Sequence, residues 1–118
     1  MEKQIHVKPA MYALFYEHLK IIASEYGYNL VLHGSMNRDL DLIAIPWIDN
    51  PKDEFEMIQV FDKYLRGTCD ESKEHYMFSV LPGKRNSYVI NLNRGDKRGE
   101  WNDYDAQYYI DISITQIL

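Results

Sequence analysis

Cysteine is almost missing from this chain. Cys69 is the single one among 118 residues, so no intramolecular disulfide can form, and no pair of thiolates exists to build a zinc site. That usage fits a reducing cytoplasm. Basic charge is also short: 13 Lys and Arg face 18 Asp and Glu, for a formal net charge of -5. A general electrostatic grip on long nucleic acid is therefore not expected. Long apolar runs are absent too. No stretch approaches the roughly 20 residues of a membrane span, and Met1-Glu2-Lys3-Gln4-Ile5-His6 lacks the apolar core of a signal peptide. Repeats and low-complexity segments are equally missing. With 46% hydrophobic and 26% charged residues, the composition is that of a single soluble domain over 1–118, long enough to bury one core.

What is present reads as alternating helices and strands. Met11, Leu14, Phe15, Leu19, Ile22 and Tyr26 recur at helical spacing between Pro9, suited to a first turn, and Gly27, suited to a stop. Leu30-Val31-Leu32 is a short apolar run with strand length and flanks. From Asp39 the chain alternates, with Leu40, Leu42 and Ala44 on one face and Asp39, Asp41, Ile43 and Ile45 on the other, until Pro46. Asn50-Pro51-Lys52-Asp53 predicts a second helix start, with Ile58, Phe61 and Leu65 as its buried stripe up to Gly67. Polar residues 68–74 predict a loop, and 76–81 and 87–92 two strands joined by Pro82-Gly83-Lys84-Arg85-Asn86. Residues 93–103, rich in charge and glycine, predict a mobile loop before a last strand over 108–117. There Ile110, Ile112 and Ile114 face one way, while Asp111, Ser113 and Thr115 face the other. The expected architecture is α+β: two main helices packed on one face of a mixed sheet of about five strands.

The chemistry concentrates in His33-Gly34-Ser35-Met36-Asn37-Arg38-Asp39-Leu40-Asp41-Leu42. Carboxylates at i and i+2 on a strand project from the same face. Two such charges about 4 Å apart repel by roughly 4 kcal/mol at an effective dielectric near 20, so the pair is expected to bind a cation, share a proton or stay well solvated. Hard oxygen ligands of this kind suit Mg2+ or Mn2+.

Gly34-Ser35 after an apolar strand, followed by Asp39-Leu40-Asp41-Leu42, resembles the signature of the DNA polymerase β-like nucleotidyltransferase superfamily. The resemblance implies a nucleotidyltransferase-like mixed sheet and transfer of a nucleotidyl group from a nucleoside triphosphate to a hydroxyl on an unknown acceptor. It implies that Asp39 and Asp41 hold Mg2+ or Mn2+, that Asp111 joins them as third carboxylate, and that Gly34 and Ser35 embrace the nucleotide phosphates. Arg38, by its own position in this segment, is a candidate phosphate contact. Only Met36, Asn37 and Arg38 separate Ser35 from Asp39, where the family carries a longer segment with a short helix. This is a minimal version of the motif, and a partner protein or a second copy in a homodimer would supply the rest of a cleft.

Plainer readings accompany each signal. Asp39 and Asp41 also suit a solvated strand end, Asp111 the wetter face of a terminal strand, and Gly34-Ser35 a tight turn. Arg38 also serves as charge compensation for its acidic neighbours. Lys84, Arg85, Arg94, Lys97 and Arg98 are expected mainly as solvated loop charges, His33 as a structural histidine, and Trp47 and Trp101 as packing residues. Glu71-Ser72-Lys73 has a nuclease-like Glu-x-Lys form but sits in a charged loop. A catalytically silent binding or assembly module of the same fold, in a phage or mobile-element setting, is the alternative function. The position of Asp111 and the openness of the space above the aspartates discriminate the two.

Overall fold

The computed structural model describes residues 2–36, 39–92 and 108–116. The segment anticipated as a mobile loop, with Arg94, Lys97, Arg98 and Trp101, lies outside the described residues, as does Arg38. Helix α1 spans Glu2–Glu25 and leads into β1 (Tyr28–His33) and β2 (Asp39–Pro46). Helix α2 (Glu54–Arg66) follows, then a 3-10 turn over Lys73–Tyr76, β3 (Ser79–Leu81), β4 (Arg85–Asn91) and β5 (Tyr109–Ile114). The five strands form one mixed sheet in the order β1-β2-β5-β4-β3. Neighbours pair antiparallel except β2 and β5, which run parallel.

One apolar cluster holds the layers together. Leu40, Leu42 and Ala44 from β2, Ile110, Ile112 and Ile114 from β5, and Tyr88 and Ile90 from β4 are buried with Tyr12, Leu19 and Ala23 of α1 and Met57, Ile58 and Phe61 of α2. Both helices therefore cover the same sheet face, as the strand alternation anticipates. Burial of each large side chain contributes about 1.5–3 kcal/mol.

Several boundaries differ from expectation, each for a local reason. α1 begins upstream of Pro9, which lies inside it. Its buried face runs through Tyr12, Leu19 and Ala23, while Met11 and Leu14 of the expected stripe are exposed. Tyr12 sets this rotation: its ring is fully buried, and its hydroxyl accepts the Tyr109 amide at 3.2 Å, tying α1 to the start of β5. α2 starts later than expected, capped by Asp53, whose carboxylate accepts the Glu56 amide at 3.0 Å. The preceding turn is held elsewhere: Lys52 donates its amide to the Tyr26 carbonyl at 2.9 Å and accepts from the Tyr28 hydroxyl at 3.3 Å. The strand expected from Tyr76 shortens to Ser79–Leu81 because the Tyr76 hydroxyl turns inward to Asp62, at 2.7 Å.

Asp62 is a fully buried carboxylate, and its partners fasten α2 to the segment before β3. Arg66 donates Nη2 to Asp62 Oδ2 at 2.8 Å, and the Asp70 amide donates to the Tyr76 hydroxyl at 2.9 Å. The hydrogen bond to Asp62 pulls the Arg66 pKa further up. Burial, followed by the bond to Asp62, likewise raises the Tyr76 phenol pKa. Tyr76→Phe removes one bond to a buried charge and one to an amide, and is expected to cost about 1.5–3 kcal/mol in urea unfolding. An unchanged midpoint would show that the network carries no stability.

Candidate functional site

The sheet face opposite the two described helices carries the acidic residues. Side chains alternate along each strand, so burying the Leu40 and Ile110 sets turns Asp39, Asp41 and Asp111 outward together. The register then brings them side by side. Asp41 is the direct partner of Asp111, and Asp39 of Tyr109, near the amino-terminal ends of two parallel strands. On the other flank, His33 of β1 pairs with Asp41, and Val89 of β4 with Asp111.

A concavity of about 370 Å³ opens over these strands, lined by His33, Asp41, Ile43, Leu81, Arg85, Ser87, Asp111 and Ser113. Ile43 forms part of a wall, and Trp47 lies at a different groove, 62% exposed rather than packed. That larger groove, about 630 Å³, contains none of the three aspartates.

Electrostatics mark the pair. Burial first, then the Asp39 charge, raises the Asp41 pKa above the usual carboxylate value, against the opposing influence of His33. Burial first, then Asp41 and Asp39, raises that of Asp111, with a hydrogen bond from Ser87 pulling back. The same charges reach Tyr12 beneath the sheet: burial pushes its phenol up to about 12, with Asp39 and Asp41 adding to the shift.

Gly34 brings the backbone against this cluster. Its φ of +90° is a left-handed conformation, and a Cβ there would sit 3.0 Å from Asp41 Oδ2. Ser35 follows in the corner between β1 and β2, and Met36 also has a positive φ, 66°. Gly34 thus turns the chain at the end of β1, beside the Asp41 carboxylate. Arg38, the remaining expected phosphate contact, is outside the described residues.

Four wall residues had weaker signals or none. Arg85, expected in a loop, begins β4 and faces the concavity, whereas Lys84 stays in the hairpin turn. His33, expected as a structural histidine, is set against Asp41 by strand pairing. Ser87 and Ser113 face each other across β4 and β5. Period-two alternation could have placed Ser113 with Asp111, but nothing in the sequence specifies the β4 register that adds Ser87 and Arg85.

Among the described residues, no group of three His, Cys, Asp or Glu side chains forms a ready-made metal cage. The donor set still fits Mg2+, which is commonly held by one or two carboxylates together with water and substrate phosphates. Asp41 and Asp111 supply hard oxygens whose mutual repulsion a cation would relieve. Among the described residues, no helix is long and apolar enough to cross a membrane. Compared with models of known families, characterised proteins and solved structures, the chain matches none.

Two outcomes follow from this geometry. Gly34→Ala should destabilise by about 1–2 kcal/mol in urea unfolding, because alanine tolerates the left-handed region poorly. Wild-type stability would argue against the close approach to Asp41. Second, carboxyl groups with raised native pKa values bind protons more tightly in the folded than in the unfolded state. Their contribution to stability therefore falls as pH rises from the unfolded carboxylate range through the raised native values. Asp41→Asn and Asp111→Asn should each raise the urea midpoint at neutral pH and flatten its decline between acid and neutral pH. A lower neutral-pH midpoint in both variants would contradict the repulsion.

Proposed function

We propose that this protein is a minimal, metal-dependent nucleotidyltransferase-like domain that binds a nucleoside triphosphate over the open sheet face. The observation that carries the reading is the parallel register of β2 and β5, which sets Asp111 directly beside Asp41 and one position from Asp39 on one face. The open concavity above them and the backbone corner at Gly34 support it.

Nucleotidyl transfer joins an acceptor oxygen to the α-phosphorus and breaks its bond to pyrophosphate, while the hydroxyl proton passes to a base or to water. A bound Mg2+ or Mn2+ would neutralise phosphate charge and make the acceptor hydroxyl easier to deprotonate. Asp41 and Asp111, with Asp39, are the residues that would hold it. Arg85, on the wall across from His33, is suited to donate hydrogen bonds to phosphate oxygens. Ser35, next to Gly34 at the end of β1, carries an amide and a hydroxyl of the kind that bind phosphate.

The second reading is a catalytically silent binding module of this architecture, which would use the same acidic face for a protein contact. Calorimetric titration of ATP, GTP, CTP and UTP, each with and without Mg2+, separates the two. The transferase reading expects magnesium-dependent binding of at least one triphosphate, weakened about tenfold or more in Asp41→Asn and Asp111→Asn. No heat at millimolar triphosphate, or binding indifferent to both variants, would overturn it in favour of the module.

A further inference from the structure

The two edges of the sheet are unequal. β3 is only three residues long, whereas β1, at the other edge, has six and contains no Lys, Arg, Asp, Glu, Pro or Gly to discourage pairing. Its outward backbone groups can be identified. The Ala44 carbonyl accepts the Thr115 amide at 3.0 Å on the β5 side, so it points away from its β1 partner, Leu30. In an antiparallel ladder that makes Leu30 and Ala44 a non-hydrogen-bonded pair, and the N–H and C=O of Leu30 face outward. The Tyr16 hydroxyl, donating to the Leu30 carbonyl at 2.9 Å, agrees, and it leaves that oxygen's second lone pair open. By alternation Tyr28 and Leu32 face the same way, so the outward set is centred on Leu30.

Beside this edge lies the groove of about 630 Å³, walled by Lys20, Ile21, Ser24 and Glu25 of α1 on one side and by Trp47 on the other. Ile21 and Trp47 are each 62% exposed. Opposite charges, Lys20 and Glu25, stand on α1 with Ile21 and Ser24 between them. We propose that this edge and groove form a self-association surface. A second copy of the chain docks about a two-fold axis perpendicular to the sheet, pairing β1 antiparallel with its counterpart around Leu30.

Self-complementarity selects a second copy over an unrelated strand. A two-fold axis runs the two α1 helices antiparallel, which brings Lys20 toward the partner's Glu25 and Glu25 toward the partner's Lys20. The same operation adds main-chain bonds at Leu30 and between Tyr28 and the partner's Leu32, and it covers Ile21 and Trp47 of both copies. It also keeps both acidic faces on the same side of one continuous sheet, joined through the five described strands of each copy. The inference stands apart from the nucleotide reading, since the groove contains none of the three aspartates.

Sedimentation equilibrium from micromolar to millimolar protein tests it, with circular dichroism and urea midpoints to confirm that each variant is folded. Wild type should form a dimer. Ile21→Glu, at an exposed position, should yield folded monomer, and Lys20→Glu or Glu25→Lys alone should weaken the dimer about tenfold. The double exchange Lys20→Glu/Glu25→Lys should restore it. Wild type that stays monomeric throughout would overturn the proposal and leave the edge to a strand from a different protein. A dimer indifferent to Ile21→Glu, or one not restored by the double exchange, would overturn it as well.

Discussion

Everything at the acidic face depends on one strand pairing, the parallel union of β2 with β5. These strands are far apart in sequence, and their alignment decides whether Asp111 stands beside Asp41 or on an unrelated part of the sheet. The alignment is held from beneath. Leu40, Leu42 and Ala44 pack beside Ile110, Ile112 and Ile114, and a slip of β5 by one residue would turn its three isoleucines outward and Asp111 inward. Tyr12 adds a directional restraint by accepting the first amide of β5.

That alignment has an energetic consequence. Burial and mutual repulsion both raise the pKa values of Asp41 and Asp111, so the pair opposes folding at neutral pH unless something compensates. The Ser87 hydrogen bond to Asp111 offsets part of this. The stabilising network around Asp62 lies elsewhere and contrasts with it: there a buried carboxylate is bonded by Arg66 and Tyr76. One domain thus contains a buried acid with matched partners and a pair of acids that repel each other in a concavity. The first joins α2 to the segment before β3; the second leaves its repulsion to be relieved by whatever faces the concavity.

The elements themselves were largely legible from local pattern. Period-two alternation in 39–46 and 109–114 identified both central strands and which of their residues face the helices, because a half-buried strand must alternate. Local pattern failed where distant atoms outbid it. Asp53, rather than Asn50, caps α2, since the turn before it is bonded to Tyr26 and Tyr28. Tyr76 left the expected strand to reach Asp62, and Tyr12 turned α1 so that Leu14 lies exposed.

For the candidate site the division is similar. The sequence by itself determined that Asp39 and Asp41 share a face, that Gly34 precedes them at a tight corner, and that Asp111 alternates with buried isoleucines, because each follows from backbone geometry over a few residues. Only the tertiary structure decided that Asp111 is the cross-strand neighbour of Asp41, that Arg85, Ser87 and His33 complete the walls, and that Trp47 belongs to a separate groove. Those facts depend on strand order and register, which arise from how the apolar faces of distant segments pack together, and no short stretch of chain contains them.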